Sequence, residues 1–241
     1  MKRWESKSNK AFWFRCVLVF LRIFFRKRKF IFEGDVPGKD SIIMSNHSAA
    51  SGPVFFELYA GFKTRFWGTH EMTEGIKNAY TYLSKNYLPK KKHFPQWLSY
   101  PIAVIIVPFV RLFYRGLKLI PTYSDLRFHI TLNKTFETLK NGETVIIFPE
   151  DSHDGYHKEL THFFPGGFFI ARKYAEKVND PTLFPCYYVK SIRSFTFGKG
   201  IRYSELSSKY GTDYQKMADE FCDLCNDLGK RYEKNKKNSI K

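Results

Sequence analysis

Residues 41–53 read SIIMSNHSAASGP: an apolar, β-branched run, then a histidine among small polar residues, then a proline suited to a first helical turn. A buried strand that turns straight into a helix is the repeating unit of a sheet covered by helices. Working outward, similar short apolar runs stand at 64–68, 117–120, 144–148 and 183–189. Longer stretches suited to helices lie between or after them, at 53–61, 73–87, 125–139, 167–178 and 212–232, with Asp125 and Asp213 near N-cap positions. The alternation predicts an α/β fold: a single domain with a mixed, mostly parallel sheet covered by helices, preceded by an amphipathic N-terminal helix. In such sheets ligands gather where loops leave the strand ends.

The chain has 241 residues, 43% of them hydrophobic and 26% charged. That supports one ample core and excludes the disordered and collagen-like classes. Aromatics reach 18%, with 25 Phe and 15 Tyr, more than such a core needs; a binding surface or a membrane interface is the natural sink. Four cysteines, Cys16, Cys186, Cys222 and Cys225, are too few and too scattered for a disulfide framework, so a reducing compartment is expected. The Cys222-x-x-Cys225 pair has no second pair and falls in a helical pattern, which reads as core thiols.

The net charge of +17 is unevenly placed: residues 1–30 carry +9, residues 230–241 carry +5, and the 199 residues between them only +3. A nucleic-acid domain spreads positive charge over a reading face, whereas basic ends beside apolar side chains suit an anionic lipid surface. No nucleic-acid partner is expected. Residues 11–25, AFWFRCVLVFLRIFF, are too short to span hydrocarbon, are broken by Arg15 and Arg22, and precede no small-residue cleavage site. On a helix, Arg15, Arg22, Arg26 and Lys29 share one stripe, and apolar side chains such as Trp13 occupy the rest. These five residues are the candidate membrane contacts of a helix lying in the interface.

The expected organisation is a membrane-interface helix at 1–32, an α/β body at 33–229 after the turn-rich EGDVPGKD, and a basic tail at 230–241. The segment 97–114, WLSYPIAVIIVPFVRLFY, is apolar nearly all round but contains Pro101 and Pro108. It reads as a poor spanning helix and a wall for an acyl chain, or as a second membrane contact.

Two strand ends carry side chains for chemistry. His47 follows the first strand, where a neutral imidazole can take a proton from a hydroxyl. Phe148-Pro149-Glu150-Asp151-Ser152-His153-Asp154 follows another, with three carboxylates and a hydroxyl. His153 and His157 have i,i+4 spacing, but Gly155 interrupts the helix that a metal site would need, and none is expected.

From about residue 41 to 189 the sequence resembles the PlsC-type glycerolipid acyltransferases, the lysophosphatidic acid acyltransferase family. His47 stands at the histidine of that family's N-H-x4-D block, and Phe148-Pro149-Glu150 at the start of its F-P-E-G-T-R-S block. Gly116–Pro121 (GLKLIP) and Phe184–Val189 (FPCYYV) fall where two further blocks fall, and FFPGGF at 163–168 is similar to the family's F-x-x-G helix start. The resemblance implies transfer of a fatty acyl group from acyl-CoA or acyl-ACP, as co-substrate, to a hydroxyl of a lysophospholipid or glycerol phosphate, with no cofactor. His47 would be the general base, and Asn46, Lys118, Glu150, Asp151 and Ser152 would bind substrate. Membrane lipids, the lysolipid acceptor and the acyl donor would be the partners, and the cytoplasmic face of the cell membrane the location, as a monotopic protein.

The chain departs from the family at several positions. Gly52 stands at the motif aspartate, His153 at the arginine of the F-P-E-G-T-R-S block, and Thr122 at the arginine ending the second block. Asp151, Asp154, Ser51 or Glu57 are the candidates to orient His47; Arg115, Lys118 or Arg127 are candidates for a phosphate. A catalytically impaired relative that binds lipid or a membrane is the alternative reading, motivated by Gly52.

Overall fold

The computed structural model describes residues 10–47, 51–150 and 158–238. Helix α1 (Phe12–Phe24) leads into strand β1 (Lys29–Phe32), then β2 (Ser41–Ser45), α2 (Ser51–Tyr59) and β3 (Thr64–Thr69). Helix α3 (Ile76–Tyr82) runs on as a π-helical segment, Leu83–Lys91, before α4 (Gln96–Leu117). Strand β4 (Ile120–Thr122), α5 (Phe128–Lys140), β5 (Thr144–Ile147), α6 (Gly166–Lys177) and β6 (Thr182–Val189) follow. The chain then adds β7 (Ser194–Phe197), β8 (Ile201–Arg202), α7 (Tyr203–Tyr210) and α8 (Tyr214–Asn238).

The strands form one mixed sheet in the order β1-β7-β6-β2-β5-β3-β4, with β8 against β6. Strands β6, β2, β5, β3 and β4 are mutually parallel; β7 and β8 run antiparallel to β6. This is the α/β architecture expected from the alternation of runs. The strands β1, β7 and β8 are additions to it.

Side chains alternate across the sheet and so feed two cores. Ile42, Met44, Val145 and Ile147 pack with Phe168, Tyr174 and Phe221 from α6 and α8. Ile43, Ile146, Phe184 and Cys186 pack with Phe14, Phe55 and Phe56 from α1 and α2. A third cluster, including Met72, Leu83, Leu88, Ala103 and Val107, joins the α3 segment to α4. Cys222 and Cys225 are buried core thiols, and burial pushes Cys222 up to about 11, where it is protonated and inert at neutral pH.

The N-terminal helix is shorter than its hydrophobic run. It stops at Phe24, and the residues expected to extend it instead enter the sheet, where Lys29–Phe32 pairs with β7. Arg26 and Lys29 therefore leave the helical stripe, which keeps Arg15 and Arg22. Phe14 and Leu18 are the residues α1 buries, each contributing roughly 1.5–3 kcal/mol. On the far side Phe12, Ile23 and Phe24 are 80%, 75% and 66% exposed. At about 100° per residue, Arg15 and Arg22 occupy the flank between the docked and the open face.

A second departure is α4, which continues for 22 residues through Pro101 and Pro108 to Leu117, so the strand expected at 117–120 begins only at Ile120, after the left-handed Lys118, and runs to Thr122. It is long and apolar enough to cross a membrane by length and composition alone. Each proline forfeits one helical hydrogen bond, and the packing of Ala103 and Val107 holds the helix across the gap. Its C-terminal half meets α1: the Phe14 and Phe113 rings lie 5.6 Å apart, and a Cβ at Gly116 would overlap the Phe14 ring. Gly116→Val is expected to lower stability by about 1–3 kcal/mol, because neither an aromatic ring nor helix backbone can yield. A thermal melt measures it.

Candidate active site

Strand β2 lies between β5 and β6 in the middle of the sheet, so the residue after it emerges at the centre of the edge where the parallel strands end. That residue pair is Asn46-His47. Asn46 is buried, and its side-chain oxygen accepts the backbone N–H of Tyr188 at 2.7 Å, binding the end of β2 to the end of β6. Its amide oxygen, expected to contact substrate, is used to fix the strand end. His47 follows; the residue as a whole is half-buried but its Nδ1 is fully buried, and its ring lies 5.0 Å from the ring of Phe148 beyond β5.

Glu150 closes the arrangement. An isolated bridge to Phe163 places it beside the loop before α6, and its Oε2 accepts the backbone N–H of His47 at 2.9 Å. The carboxylate is buried. The two strand ends that hold the candidate residues thus meet. One oxygen of the carboxylate expected to hold an acceptor is instead engaged in holding the His47 backbone.

Two cations absent from the expected set act on His47. Lys91 and Lys92, at the end of the π-helical segment, add their charge to the effect of burial, and together these push the imidazole down from 6.5 to about 3. Burial is the larger cause. π-Helical turns recur at functional sites, and this one ends in a Lys-Lys pair whose charge reaches His47. The sequence signal was KKKH at 90–93, which reads as a solvated charge run.

The imidazole is therefore neutral at physiological pH, with one ring nitrogen protonated and the other able to accept a proton. The consequence for stability has a definite sign. The unfolded chain binds a proton at this histidine near pH 6.5 and the folded chain only near 3, so stability is intact above about 6.5 and lost as pH falls through that window. His47→Gln removes the linkage. Urea unfolding at about pH 7 and pH 4 should show a smaller acid loss in the variant, by about 2–3 kcal/mol.

The other candidates separate. Gly52 lies in the first turn of α2 and brings no carboxylate. Glu57, on the same helix, lies at the opposite end of the sheet, 3.5 Å from Lys10 and accepting from Thr64 at the start of β3, so it does not orient His47. Lys118 also comes away from His47. The register sets Ile120 level with Trp67, Ile147 and Met44, with β5 and β3 standing between β2 and β4. At strand spacings Lys118 lies roughly 20–25 Å from His47, backbone to backbone. Arg127 is committed to Asp125 and Glu74 at 2.8 and 3.0 Å. Asp151, Ser152, His153, Asp154 and His157 lie outside the described residues, as does the side chain of Ser51.

Of the membrane candidates, Trp13, Arg15, Arg22 and Arg26 are exposed; a guanidinium nitrogen of Arg22 also donates to the Leu58 carbonyl at 3.3 Å. Lys29 is exposed at the start of β1. The segment read as an acyl-chain wall or a second membrane contact, now α4, leaves Trp97, Phe109 and Ile105 74%, 70% and 66% exposed.

No protein-family model and no curated protein matches this chain. A solved structure that it is similar to is the 1-acyl-sn-glycerophosphate (LPA) acyltransferase PlsC from Thermotoga maritima. The two share 12% identity and a TM-score of 0.47, over 91% of this chain and 89% of that one.

Proposed function

We propose that the chain is an O-acyltransferase working at a membrane surface, with His47 as general base. The observation that carries the reading is the neutral imidazole at the centre of the sheet edge, its backbone fixed by Glu150 and its surroundings made cationic by Lys91 and Lys92. The ordered motif blocks support the same chemistry.

In this reading His47 takes the proton of the acceptor hydroxyl as its oxygen attacks the thioester carbonyl of acyl-CoA or acyl-ACP. The tetrahedral oxyanion collapses, the C–S bond breaks, and the thiolate recovers the proton from the imidazolium. An ester and a free thiol result, with no acyl-enzyme. An imidazole near pKa 3, lowered mainly by burial, is a weak base. A phosphate drawn to Lys91 and Lys92 offsets the lesser cause, their charge, and so strengthens the base by that part. These two lysines take the place of the motif arginines as anion binders. Asp151 and Ser152 remain candidate acceptor contacts, and the acceptor class is a lysophospholipid or glycerol phosphate.

Attachment would use the open faces of α1 and α4, in a monotopic arrangement at the cytoplasmic face of the membrane, with the cations flanking α1 on anionic headgroups. The test is thiol release: it should require donor and hydroxyl acceptor together. Release from donor alone at the same rate would make the protein a thioesterase instead. The low basicity of His47 and the glycine at position 52 favour one second reading, a silent relative that only binds membrane. It predicts vesicle binding with no thiol release under any pairing.

A further inference from the structure

A cavity of about 590 Å³ lies against the C-terminal half of α4, where Arg111, Arg115 and Lys118 line one part and Ile76, Leu112 and Leu119 another. We propose that it seats the phosphate headgroup of an anionic membrane phospholipid, with the first part of an acyl chain along its apolar wall. The inference rests on the reading of α1 and α4 as interface helices and adds a specific lipid site to it.

Charge is the first argument. Among the described residues three cations line the cavity and no carboxylate does. Among the described residues neither Arg111 nor Arg115 forms an ion pair within 4 Å, whereas Arg65, Arg127, Arg172 and Arg231 each do. Two adjacent guanidiniums one helical turn apart repel each other, and an anion relieves that repulsion with charge-assisted hydrogen bonds. Lys118 is fixed at the rim by its left-handed conformation at the end of α4 and by Arg65, which donates to its carbonyl at 3.2 Å.

Position is the second argument and selects a lipid over a soluble phosphate. At about 100° per residue, Arg111 and Arg115 fall within roughly 40° of Trp97 and Val104, on the exposed apolar face of α4. That face is apolar from Trp97 to Leu112, which is itself 49% exposed while lining the cavity, and it turns cationic at Arg111 and Arg115. An apolar stripe that ends in cations matches the step from acyl chains to headgroups. The volume lies within the range of single-ligand sites. The separation from His47 makes this a docking lipid rather than the acceptor.

The experiment compares sedimentation of the full chain with vesicles of phosphatidylcholine alone and of phosphatidylcholine with phosphatidylglycerol. R111Q/R115Q should weaken binding to the anionic vesicles by about tenfold or more, at about 1 kcal/mol for each charge at the surface. K140Q/K177Q removes the same charge from the ends of α5 and α6, outside the cavity, and should change it by less than about twofold. K118Q is the milder variant should the double one fail to give a wild-type circular dichroism spectrum. Wild-type binding by R111Q/R115Q, with release on Phe20→Ser/Ile23→Ser in α1, would overturn the site and leave the membrane reading standing. No binding of the wild type to either vesicle would overturn both. A rise in Tm with soluble glycerol 3-phosphate, lost in R111Q/R115Q, would make the occupant a free phosphate ester and overturn the lipid assignment.

Discussion

His47→Ala is expected to lower the turnover of acyl transfer by about 10²–10⁴-fold, the range a positioned general base supplies. The fold should survive, because Glu150 accepts the backbone N–H at position 47 and alanine retains that donor. What the truncated side chain gives up is the packing of the imidazole near the Phe148 ring. The effect should therefore fall on kcat with KM little changed, since the imidazole acts on the proton in flight rather than on the bound ground state. His47→Gln fills the same space without a base of comparable strength and should be equally inactive. A structural role alone would instead move the unfolding midpoint and leave activity in the surviving folded fraction.

The second large effect concerns stability. Glu57→Ala is expected to destabilise the protein by about 3–5 kcal/mol, the usual consequence of stranding one member of a buried ion pair. Lys10 and Glu57 have side chains only 5% and 6% exposed, 3.5 Å apart. The ammonium of Lys10 also donates to the Leu117 carbonyl at 2.7 Å, so it ties the approach to α1 to the end of α4. Burial lowers the Lys10 pKa and raises that of Glu57, and it is the largest cause for both. Desolvation thus opposes the charged form of both partners, so the pair is expected to add little net stability. It follows that Lys10→Met/Glu57→Leu should recover most of the loss or exceed wild type. Urea unfolding of the three variants decides it: a double variant as unstable as Glu57→Ala would show that the pair itself stabilises.

Strands β2 and β5 were legible because each is a short, fully buried run bounded by turn residues; β2 spans the very residues expected. The edge was harder. Lys29–Phe32 sits in a basic run whose charge suits a helical stripe, and only pairing with β7 makes it a strand. The Ser194–Phe197 run SFTF alternates but has four residues, and β6 supplies the hairpin partner that fixes it. In α4 the two prolines argued against a continuous helix, and tertiary packing overrode them. At the site, His47 could be read from its place after a strand. The cations beside it could not, because they arrive from a π-helical segment containing Pro89, whose geometry no hydrophobic period announces. The separation of Lys118 from His47 follows from strand order, and the succession of motifs along the chain carries no information about that order.

Incubating the protein on vesicles with acyl-CoA or acyl-ACP and a panel of lysolipids, followed by mass spectrometry of the lipids, tests the account most directly. Wild type should yield a lipid heavier by one acyl group, and His47→Ala should yield none at matched protein and time. Equal product from both proteins, or no acylated lipid from wild type with any donor and acceptor pair, would contradict it.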